Sequence, residues 1–104
     1  MKVRLHEQAY NDVDDAAVWY DEQEAGLGDE FLAEVNACVV ALPEQAEIWP
    51  LWPGVQPRKY PVRRRLLSRF PYGIAYQVID DTIIVLSVAA YRMRPRYWAK
   101  RIQR

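Results

Sequence analysis

The stretch that decides the fold is RFPYGIAYQVIDDTIIVLSVAAYRMRPRYWAKR, which runs from Arg69 to Arg101. Two apolar runs rich in β-branched and aromatic residues flank Asp80-Asp81, and aspartate tolerates the backbone angles of a tight turn. The pattern therefore predicts a β-hairpin with strands from Tyr72 to Ile79 and from Thr82 to Ala90. A basic and aromatic tail follows, and guanidinium groups at the end of a rigid sheet are suited to binding a polyanion or an acidic peptide.

Upstream of this hairpin, the spacing of apolar residues changes from a strand period to a helix period. Lys2 to His6 alternates between apolar and polar residues and is predicted to be a short strand. From Glu7 onward, apolar residues recur every three or four positions, which predicts two amphipathic helices. Gly26 permits a tight bend, so the first helix is expected to end before it and the second to begin at Leu27. Pro43 is expected to end the second helix or to follow its end closely.

The segment between the helices and the hairpin is predicted to be irregular and then to form one more strand. Prolines are too frequent between Glu44 and Pro57 for a helix or a central strand. Trp49 and Trp52 are expected to pack this loop against the body of the protein, because large aromatic rings usually serve burial. Val62 to Leu67 is predicted to be a strand, although three consecutive arginines interrupt its apolar pattern.

These elements follow one another as one strand, two helices and three strands. A helical hairpin buries its apolar stripe against one face of a mostly antiparallel four-stranded sheet, so the predicted fold class is α+β with the order βααβββ. A first strand that is followed by two helices must cross over to reach the sheet, and we expect it beside the last strand and parallel to it. The chain of 104 residues is expected to form a single domain over residues 1–104.

The net charge of zero conceals a strong separation of charge along the chain. Residues 1–52 carry two cations and twelve anions, a balance of −10, whereas residues 53–104 carry twelve cations and two anions, a balance of +10. Such asymmetry indicates an acidic partner for the basic half, unless the two halves neutralise each other in the folded protein.

Composition and spacing also limit the compartment and the chemistry. No stretch approaches the ~20 apolar residues that a membrane-spanning helix requires, and MKVRLHEQAY at the start lacks the apolar run of a secretory signal. Cys38 is the single cysteine, so no internal disulfide forms, and a cytoplasmic location without membrane contact is predicted. Asp12, Asp14 and Asp15 spread around a helix and are interpreted as a solvated face, so no metal site and no cofactor are predicted.

The order of several motifs resembles that of a known family. WYDEQEAGLGDEFLAEV (Trp19 to Val35), RFPYGIAYQV (Arg69 to Val78), the apolar strand Ile83 to Val88 and YRMRPRYWAKR (Tyr91 to Arg101) resemble the RelE/ParE family of toxins from bacterial type II toxin–antitoxin modules. The resemblance implies a βααβββ fold and a cognate antitoxin whose disordered segment folds onto the toxin. It also implies one of two activities, since RelE-like members cleave messenger RNA in the ribosomal A site and ParE-like members inhibit DNA gyrase.

The residues that distinguish the two branches favour the ParE-like one. Metal-free RNA cleavage needs a base for the 2′-hydroxyl, cations for the phosphate and an acid for the leaving oxygen. Where the RelE-like pattern carries an arginine after the tyrosine of the penultimate strand, this chain has Gly73. The only histidine, His6, is far from the tail in the sequence. Tyr97 lies one residue short of the place expected for a catalytic tyrosine, which Trp98 occupies.

Candidate site residues follow from the resemblance and from the basic tail. If the protein is an RNase, the catalytic candidates are Arg65, Tyr91, Arg92 and Tyr97. The candidates for binding a target or a phosphate are Arg63, Arg64, Arg65, Arg69, Arg92 and Arg94. The candidates for binding an antitoxin are Tyr20, Leu27, Phe31, Arg92, Arg94, Tyr97 and Trp98.

The sequence therefore predicts a toxin that acts on DNA gyrase and is neutralised by a cognate antitoxin, and a hetero-oligomer of toxin and antitoxin is expected. Two alternatives stay open: a ribosome-dependent endoribonuclease that acts on mRNA, and a non-toxic relic that only binds an antitoxin. The antitoxin tail is expected to be acidic and amphipathic, to lie over the helical pair or the sheet face, and to extend the sheet at a free edge.

Overall fold

The computed structural model describes residues 1–103 and contains the predicted helices and strands in the predicted order. They are β1 (Lys2–Leu5), α1 (Glu7–Gln23), α2 (Leu27–Gln45), β2 (Val62–Leu66), β3 (Tyr72–Ile79) and β4 (Thr82–Ala90). A short 3₁₀ helix, Ala99–Arg101, follows within the segment 91–103, which we call the C-terminal arm. The predicted α+β fold class is confirmed.

The four strands form one sheet in the order β1-β4-β3-β2. β1 runs parallel to β4, with Val3 opposite Ile83, and the other two pairs of neighbouring strands are antiparallel. The predicted crossover of the first strand to the side of the last is therefore confirmed. β4 lies inside the sheet, which explains why its residues are apolar on both faces.

The two helices cover one face of the sheet and bury its larger core. Tyr72, Ile74 and Tyr76 alternate along β3 and all belong to this core, as their spacing predicts. Tyr20 of α1 and Phe31 of α2 complete an aromatic cluster, in which the ring centroids of Phe31 and Tyr72 are 4.9 Å apart. Burial of these rings stabilises the contact between the helices and the sheet.

Two glycines permit the close crossing of α1 and α2. Gly26 precedes α2 with a φ of 89°, a left-handed angle that glycine adopts without strain. A Cβ atom on Gly28 would collide with the carbonyl oxygen of Ala17, so no larger residue fits between the helices there. The predicted bend at Gly26 is therefore confirmed.

The end of α2 differs from the sequence prediction. The helix continues to Gln45, two residues beyond Pro43, whereas an end at the proline or just before it was expected. Pro43 lies in the last turn of the helix, where the proline removes a single backbone hydrogen bond and no further turn follows to be disrupted.

The opposite face of the sheet carries a second, smaller core, which the sequence analysis did not predict. Trp98 of the C-terminal arm belongs to it together with Ala75 and Leu86, and is only 1% exposed. Trp52 of the long loop meets Trp98 edge-on, with ring centroids 4.9 Å apart. The loop tryptophan packs inward, as predicted, and the arm covers a sheet face that would otherwise be open.

A β-bulge in β4 lies where the strand loses its neighbour on one side, so the backbone groups there need hydrogen-bond partners from elsewhere in the fold. Ala75 pairs with Ser87 and Tyr76 pairs with Val85, so Leu86 is an extra residue in β4. β1 ends opposite Val85, and β4 has no strand beside it on that side beyond this point. Buried backbone groups that lose a strand partner need another one.

Asp12 of α1 and Arg101 of the arm close this edge. The Asp12 carboxylate accepts hydrogen bonds from the Val88 N–H at 3.3 Å and from the Ser87 hydroxyl at 2.8 Å. Arg101 Nη1 donates to the Leu86 carbonyl at 3.0 Å and to Asp12 Oδ2 at 2.7 Å. We call this arrangement the Asp12–Arg101 clamp. The interpretation of Asp12 as part of a solvated face is wrong, because its side chain is only 11% exposed.

Removing one partner of the clamp is expected to destabilise the protein strongly. In an Asp12→Ala variant, Arg101 stays buried without a counter-ion, which lowers the free energy of unfolding by about 3–5 kcal/mol. Asp14→Ala, an exposed position on the same helix, serves as the control and changes it by less than about 0.5 kcal/mol. Urea denaturation of both variants measures the difference, and equal stabilities would contradict a structural role for the clamp.

The buried tyrosines predict a loss of stability at alkaline pH. Burial raises the pKa of Tyr76 from 10.0 to about 12, and its hydroxyl donates a hydrogen bond to the Ala46 carbonyl at 2.8 Å. The unfolded chain ionises first, so the contribution of Tyr76 is fully present below pH 10 and is lost as the pH rises towards 12.

Denaturant titrations between neutral and alkaline pH test this expectation. Tyr76→Phe should flatten the decline of the unfolding free energy above the ordinary tyrosine pKa, whereas Tyr10→Phe, at an exposed tyrosine, should leave the slope unchanged. Identical slopes for the two variants would show that Tyr76 does not cause the decline.

Candidate functional site

The C-terminal arm separates two clefts at the end of β4. The helix-side cleft has a volume of about 220 Å³ and lies between α1 and the end of β4. Its lining includes Asp12, Trp19, Tyr72, Arg92, Met93 and Tyr97. The sheet-side cleft has a volume of about 210 Å³ and lies over the opposite face of the sheet. Its lining includes Trp52, Arg64, Tyr91, Arg94, Arg96 and Trp98.

Backbone turns hold the arm between the two clefts. The Tyr91 N–H donates to the Pro71 carbonyl at 3.0 Å, which ties the start of the arm to the segment before β3. The Met93 N–H donates to the Ala90 carbonyl at 3.1 Å, and the Tyr97 N–H donates to the Arg94 carbonyl at 3.2 Å. These bonds form successive tight turns, which present the charged side chains of the arm to both clefts.

The sheet-side cleft concentrates positive charge. Arg64 of β2 lies over the Trp52 ring, with its guanidinium carbon 5.6 Å from the ring centroid, and Arg94 and Arg96 come from the arm. None of the three guanidinium groups forms an ion pair with a carboxylate in residues 1–103. An anion that enters this cleft therefore meets cations that are not already neutralised.

The remaining predicted phosphate-binding residues lie elsewhere. Arg63 Nη1 donates to the Trp49 carbonyl at 2.7 Å, and the Arg65 guanidinium covers the Trp49 ring at 4.3 Å. Arg69 pairs with Glu30 at 2.8 Å on the surface. The six predicted arginines thus divide, with two in the sheet-side cleft, one in the helix-side cleft and three bound to other groups. Arg63 and Arg65 lie at Trp49 and Arg64 lies at Trp52, because successive side chains of a strand point to opposite faces of the sheet.

A cation–π contact between Arg92 and Trp19 lies in the helix-side cleft. The Arg92 guanidinium lies over the Trp19 ring of α1, 4.6 Å from its centroid, and both residues are exposed. The contact holds Arg92 at the mouth of the cleft without neutralising its charge. Arg92 therefore remains available to a negatively charged partner.

The four candidates for RNA cleavage do not share one cleft. Arg65 belongs to neither cleft, and Arg92 and Tyr97 line the helix-side cleft. Tyr91 lines the sheet-side cleft and also shares a further cleft with Arg92, which neither Arg65 nor Tyr97 lines. Burial raises the pKa of the Tyr97 hydroxyl, which lies 3.0 Å from the Ser87 hydroxyl. A raised pKa opposes the ionisation that a general base requires.

Gly73 lies on the sheet face that the loop covers. A Cβ atom at this position would lie 3.4 Å from the Trp52 ring and 3.4 Å from the side chains of Arg64 and Leu66. A longer side chain, such as the arginine of the RelE-like pattern, would therefore have to pack among these three side chains. The loop tryptophan lies beside the position where that pattern carries its arginine.

Several predicted antitoxin-binding residues belong to the interior. Phe31 and Trp98 are buried, and Tyr20 and Leu27 are partly buried against the helix-side core. The prediction of direct antitoxin contact through Phe31 and Trp98 does not fit this arrangement, because both rings are needed to cover the sheet. Tyr97 is half-buried in its contact with the clamp, whereas Arg92 and Arg94 are exposed.

Sequence reasoning missed two features of the surface. Arg96 was not among the candidates, although it lies in the same basic tail as Arg94. The second feature is a groove of about 420 Å³ between α1 and α2, which we call the apolar groove. Its apolar lining residues are Leu5, Tyr10, Val13, Leu32, Val35 and Val39. Exposed Tyr10 and Leu32 beside the buried helix stripes are the signal that would have revealed it.

The described residues lack two features that would indicate other classes of protein. Residues 1–103 contain no group of three or more histidine, cysteine, aspartate or glutamate side chains placed to bind a metal ion. No helix in this part of the chain is long and apolar enough to cross a membrane.

Comparison with known proteins identifies the family. The family described as "ParE toxin of type II toxin-antitoxin system, parDE" matches residues 3–95. A search of curated proteins found no match. Among solved structures, the chain is similar to one described as "Chromosomal ParDE TA system from P. aeruginosa", with a TM-score of 0.70 and 20% identity, over 86% of this chain and 95% of that one. Because the family match spans most of the sequence, the chain belongs to the ParE toxin family of type II toxin–antitoxin systems.

Proposed function

We infer that this chain is a single-domain toxin, residues 1–104, which acts in the cytoplasm by inhibiting DNA gyrase and is neutralised by a cognate antitoxin. The observation that carries the proposal is the dispersal of the groups that RNA cleavage would require. Membership of the ParE family supports the same conclusion. The toxin then acts by binding its target rather than by a chemical step of its own.

The chemistry of RNA cleavage explains why dispersal matters. The base, the cations and the acid must meet one scissile phosphate within hydrogen-bond reach. Here Arg65 and Tyr97 occupy different sides of the structure, and Tyr97 is held by its contacts with Ser87 and Arg101. Burial also raises the pKa of Tyr97. These features argue against the RelE-like alternative.

The apolar groove supports an antitoxin-binding surface on the helical layer. Leu5 of β1 lines the groove, so the groove lies beside the outer edge of the sheet. The edge of β2 is partly covered, because the Arg64 N–H donates to the Pro50 carbonyl at 2.8 Å. β1 is therefore the more open edge in residues 1–103. An amphipathic antitoxin segment that fills the groove is also placed to add a strand to β1.

A supercoiling assay with purified protein tests the proposed target. We expect the protein to inhibit supercoiling by gyrase and to make cleaved gyrase–DNA complexes accumulate. Tyr97→Phe should inhibit as well as the natural sequence, because the proposed action needs no proton transfer from this hydroxyl. Unaffected supercoiling at stoichiometric excess, with no cleaved complex, would reject gyrase as the target.

Two further readouts separate the alternatives. Primer extension on translating ribosomes should show no codon-specific cuts. Cuts that disappear in the Tyr97→Phe variant would show instead that the protein is a ribosome-dependent endoribonuclease. Induced expression without an antitoxin should stop bacterial growth. Normal growth would favour a non-toxic protein that only binds an antitoxin.

The antitoxin surface is tested with two charge substitutions on the same helix. Leu32→Asp places a carboxylate in the apolar groove and is expected to weaken binding of the cognate antitoxin at least about tenfold. Val40→Asp, at a residue that is 69% exposed and outside the groove lining, serves as the matched control and should leave the affinity unchanged. Calorimetric titration measures both, and equal effects would place the antitoxin elsewhere.

The exposed arginines of the arm predict the salt dependence of the same complex. Replacing Arg92 and Arg94 with glutamate removes charges that attract an acidic antitoxin tail, so association should slow and become less sensitive to salt. Stopped-flow association rates at two ionic strengths provide the measurement. Unchanged rates would mean that the antitoxin is held mainly by apolar contacts.

A further inference from the structure

The sheet-side cleft contains hydrogen-bond donors that the fold leaves unused. Arg64 Nε is buried and has no acceptor within residues 1–103, and the same holds for the indole Nε1 of Trp98. Both residues line the cleft, and Trp98 is only 1% exposed. A buried donor without a partner destabilises the folded protein. Arg64 also forms no ion pair with a carboxylate in this part of the chain, so a ligand with several acceptor oxygens would oppose the charge of its guanidinium.

Backbone geometry places a second cation at the same cleft. Arg96 has a φ of 54°, a left-handed angle that is unusual for a residue with a side chain. A Cβ atom on Gly54 would lie 2.5 Å from Arg96 Nη1, so the glycine leaves the space that the guanidinium occupies. Gly54 itself has a φ of 80°. Two left-handed positions in different segments thus combine to position one guanidinium group.

An accessible aromatic ring lies beside these cations. Tyr91 lines the cleft and is 56% exposed, although aromatic side chains are normally buried. Nucleic-acid bases stack on exposed aromatic rings with little dependence on sequence. The Tyr91 ring together with the guanidinium groups therefore combines a contact for a base with contacts for phosphate.

The distribution of anions leaves this end of the sheet positive. In the half of the chain that carries the sheet hairpin, the only anions are Asp80 and Asp81, which lie at the turn between β3 and β4. The cleft lies at the other end of these strands, next to Ala90. A polyanion approaching the cleft therefore meets no carboxylate from the hairpin.

We propose that the sheet-side cleft binds the phosphodiester backbone of an unpaired nucleic-acid strand. Arg64, Arg94 and Arg96 contact phosphate, and Tyr91 stacks on an adjacent base. The proposal goes beyond gyrase as a target, because it assigns a direct nucleic-acid contact to the toxin itself. It does not depend on the identity of the target protein.

Chemistry favours a nucleic-acid strand over an acidic peptide or a duplex. Guanidinium groups match the oxygens of a phosphate in a bidentate geometry, and an acidic peptide offers nothing for the Tyr91 ring to stack on. In a duplex, the bases stack on one another, so their faces are not available to a side chain. Only an unpaired strand uses both the cations and the exposed ring.

Fluorescence anisotropy with a labelled oligothymidylate of about 12 nucleotides tests the proposal. The natural protein should bind with a salt slope near −2 in a plot of log K against log salt concentration, as three phosphate contacts predict at about 0.7 each. Arg94→Glu with Arg96→Glu should weaken binding at least about tenfold and reduce the slope. Tyr91→Ala should weaken binding with little change in slope, since it removes stacking rather than charge.

A matched control has the same change in net charge at the opposite end of the sheet. Lys2 and Arg4 are exposed on β1, and Lys2 pairs with Thr82 next to the hairpin turn. Lys2→Glu with Arg4→Glu should keep oligonucleotide affinity within about threefold of the natural protein after correction for long-range charge. Circular dichroism checks that each variant is folded, and Arg94→Gln with Arg96→Gln replaces the charge reversal if it is not.

Four results would contradict the proposed site or assign the cleft to another ligand. Equal loss in the two charge-reversal variants would show binding governed by net charge alone and would overturn the site. Absence of binding at about 50 mM salt would overturn it as well. Tighter binding of polyglutamate than of the oligonucleotide would assign the cleft to an acidic peptide, and tighter binding of duplex would exclude the role of Tyr91. Oligouridylate in place of oligothymidylate distinguishes RNA from DNA. None of these assays contains gyrase, so they can fail while gyrase inhibition holds, or the reverse.

Discussion

The structure depends on hydrogen bonds along both edges of β4, which lies inside the sheet. β4 has β3 along one side, but β1 is only long enough to pair with its first half. A bulge at Leu86 then shifts the register where β1 ends. The backbone groups of this stretch are buried and need partners, and the clamp supplies them from a helix carboxylate and an arginine of the arm. The position of the C-terminal arm follows from this requirement.

The arm in turn creates the two clefts. Once Arg101 is anchored at the bulge, the segment between Ala90 and Trp98 must turn back across the end of the sheet. Trp98 fills the second core, and the residues before it project on either side of the turn. A residue that stabilises the edge of a strand thereby decides where the exposed arginines lie. The buried ion pair between Asp12 and Arg101 therefore fixes the segment that carries the exposed arginines of the arm.

The separated charges of the two halves do not cancel in the folded protein. Within residues 1–103, two ion pairs join an arginine of the basic half to a carboxylate of the acidic half. Arg69 with Glu30 is exposed and of small energetic value, and Arg101 with Asp12 is structural. The other arginines within residues 1–103 lie over aromatic rings, donate to backbone carbonyls or face solvent, and none of them pairs with a carboxylate. Cation–π contacts hold these side chains in place while leaving their charge available to a partner.

The sequence was sufficient for local structure but not for contacts between distant segments. Local patterns, such as the alternation along β3 and the helical spacing from Glu7, predict the four strands and both α-helices, although α2 ends later than expected. Asp12 was misread, since its partner Arg101 lies 89 positions away and nothing in the helix marks it as paired. Phe31 and Trp98 are antitoxin-binding candidates through the family resemblance and the basic tail, whereas in the structure both rings are buried against the sheet.

Contacts between distant segments also decide whether the chain has the groups that RNA cleavage requires. Motif spacing shows that Gly73 stands where the RelE-like pattern has a cation, but it does not show that Trp52 packs beside this position. It also gave Tyr97 as a proton carrier without the burial that raises the pKa of its hydroxyl. Both features, the glycine beside Trp52 and the buried Tyr97 hydroxyl, disfavour RNA cleavage. The first removes a group that would hold the scissile phosphate, and the second makes proton transfer by Tyr97 harder. A surface that keeps its cations but not its proton carriers is suited to holding an anionic partner in place, since binding requires charge and shape but no group that ionises during the event.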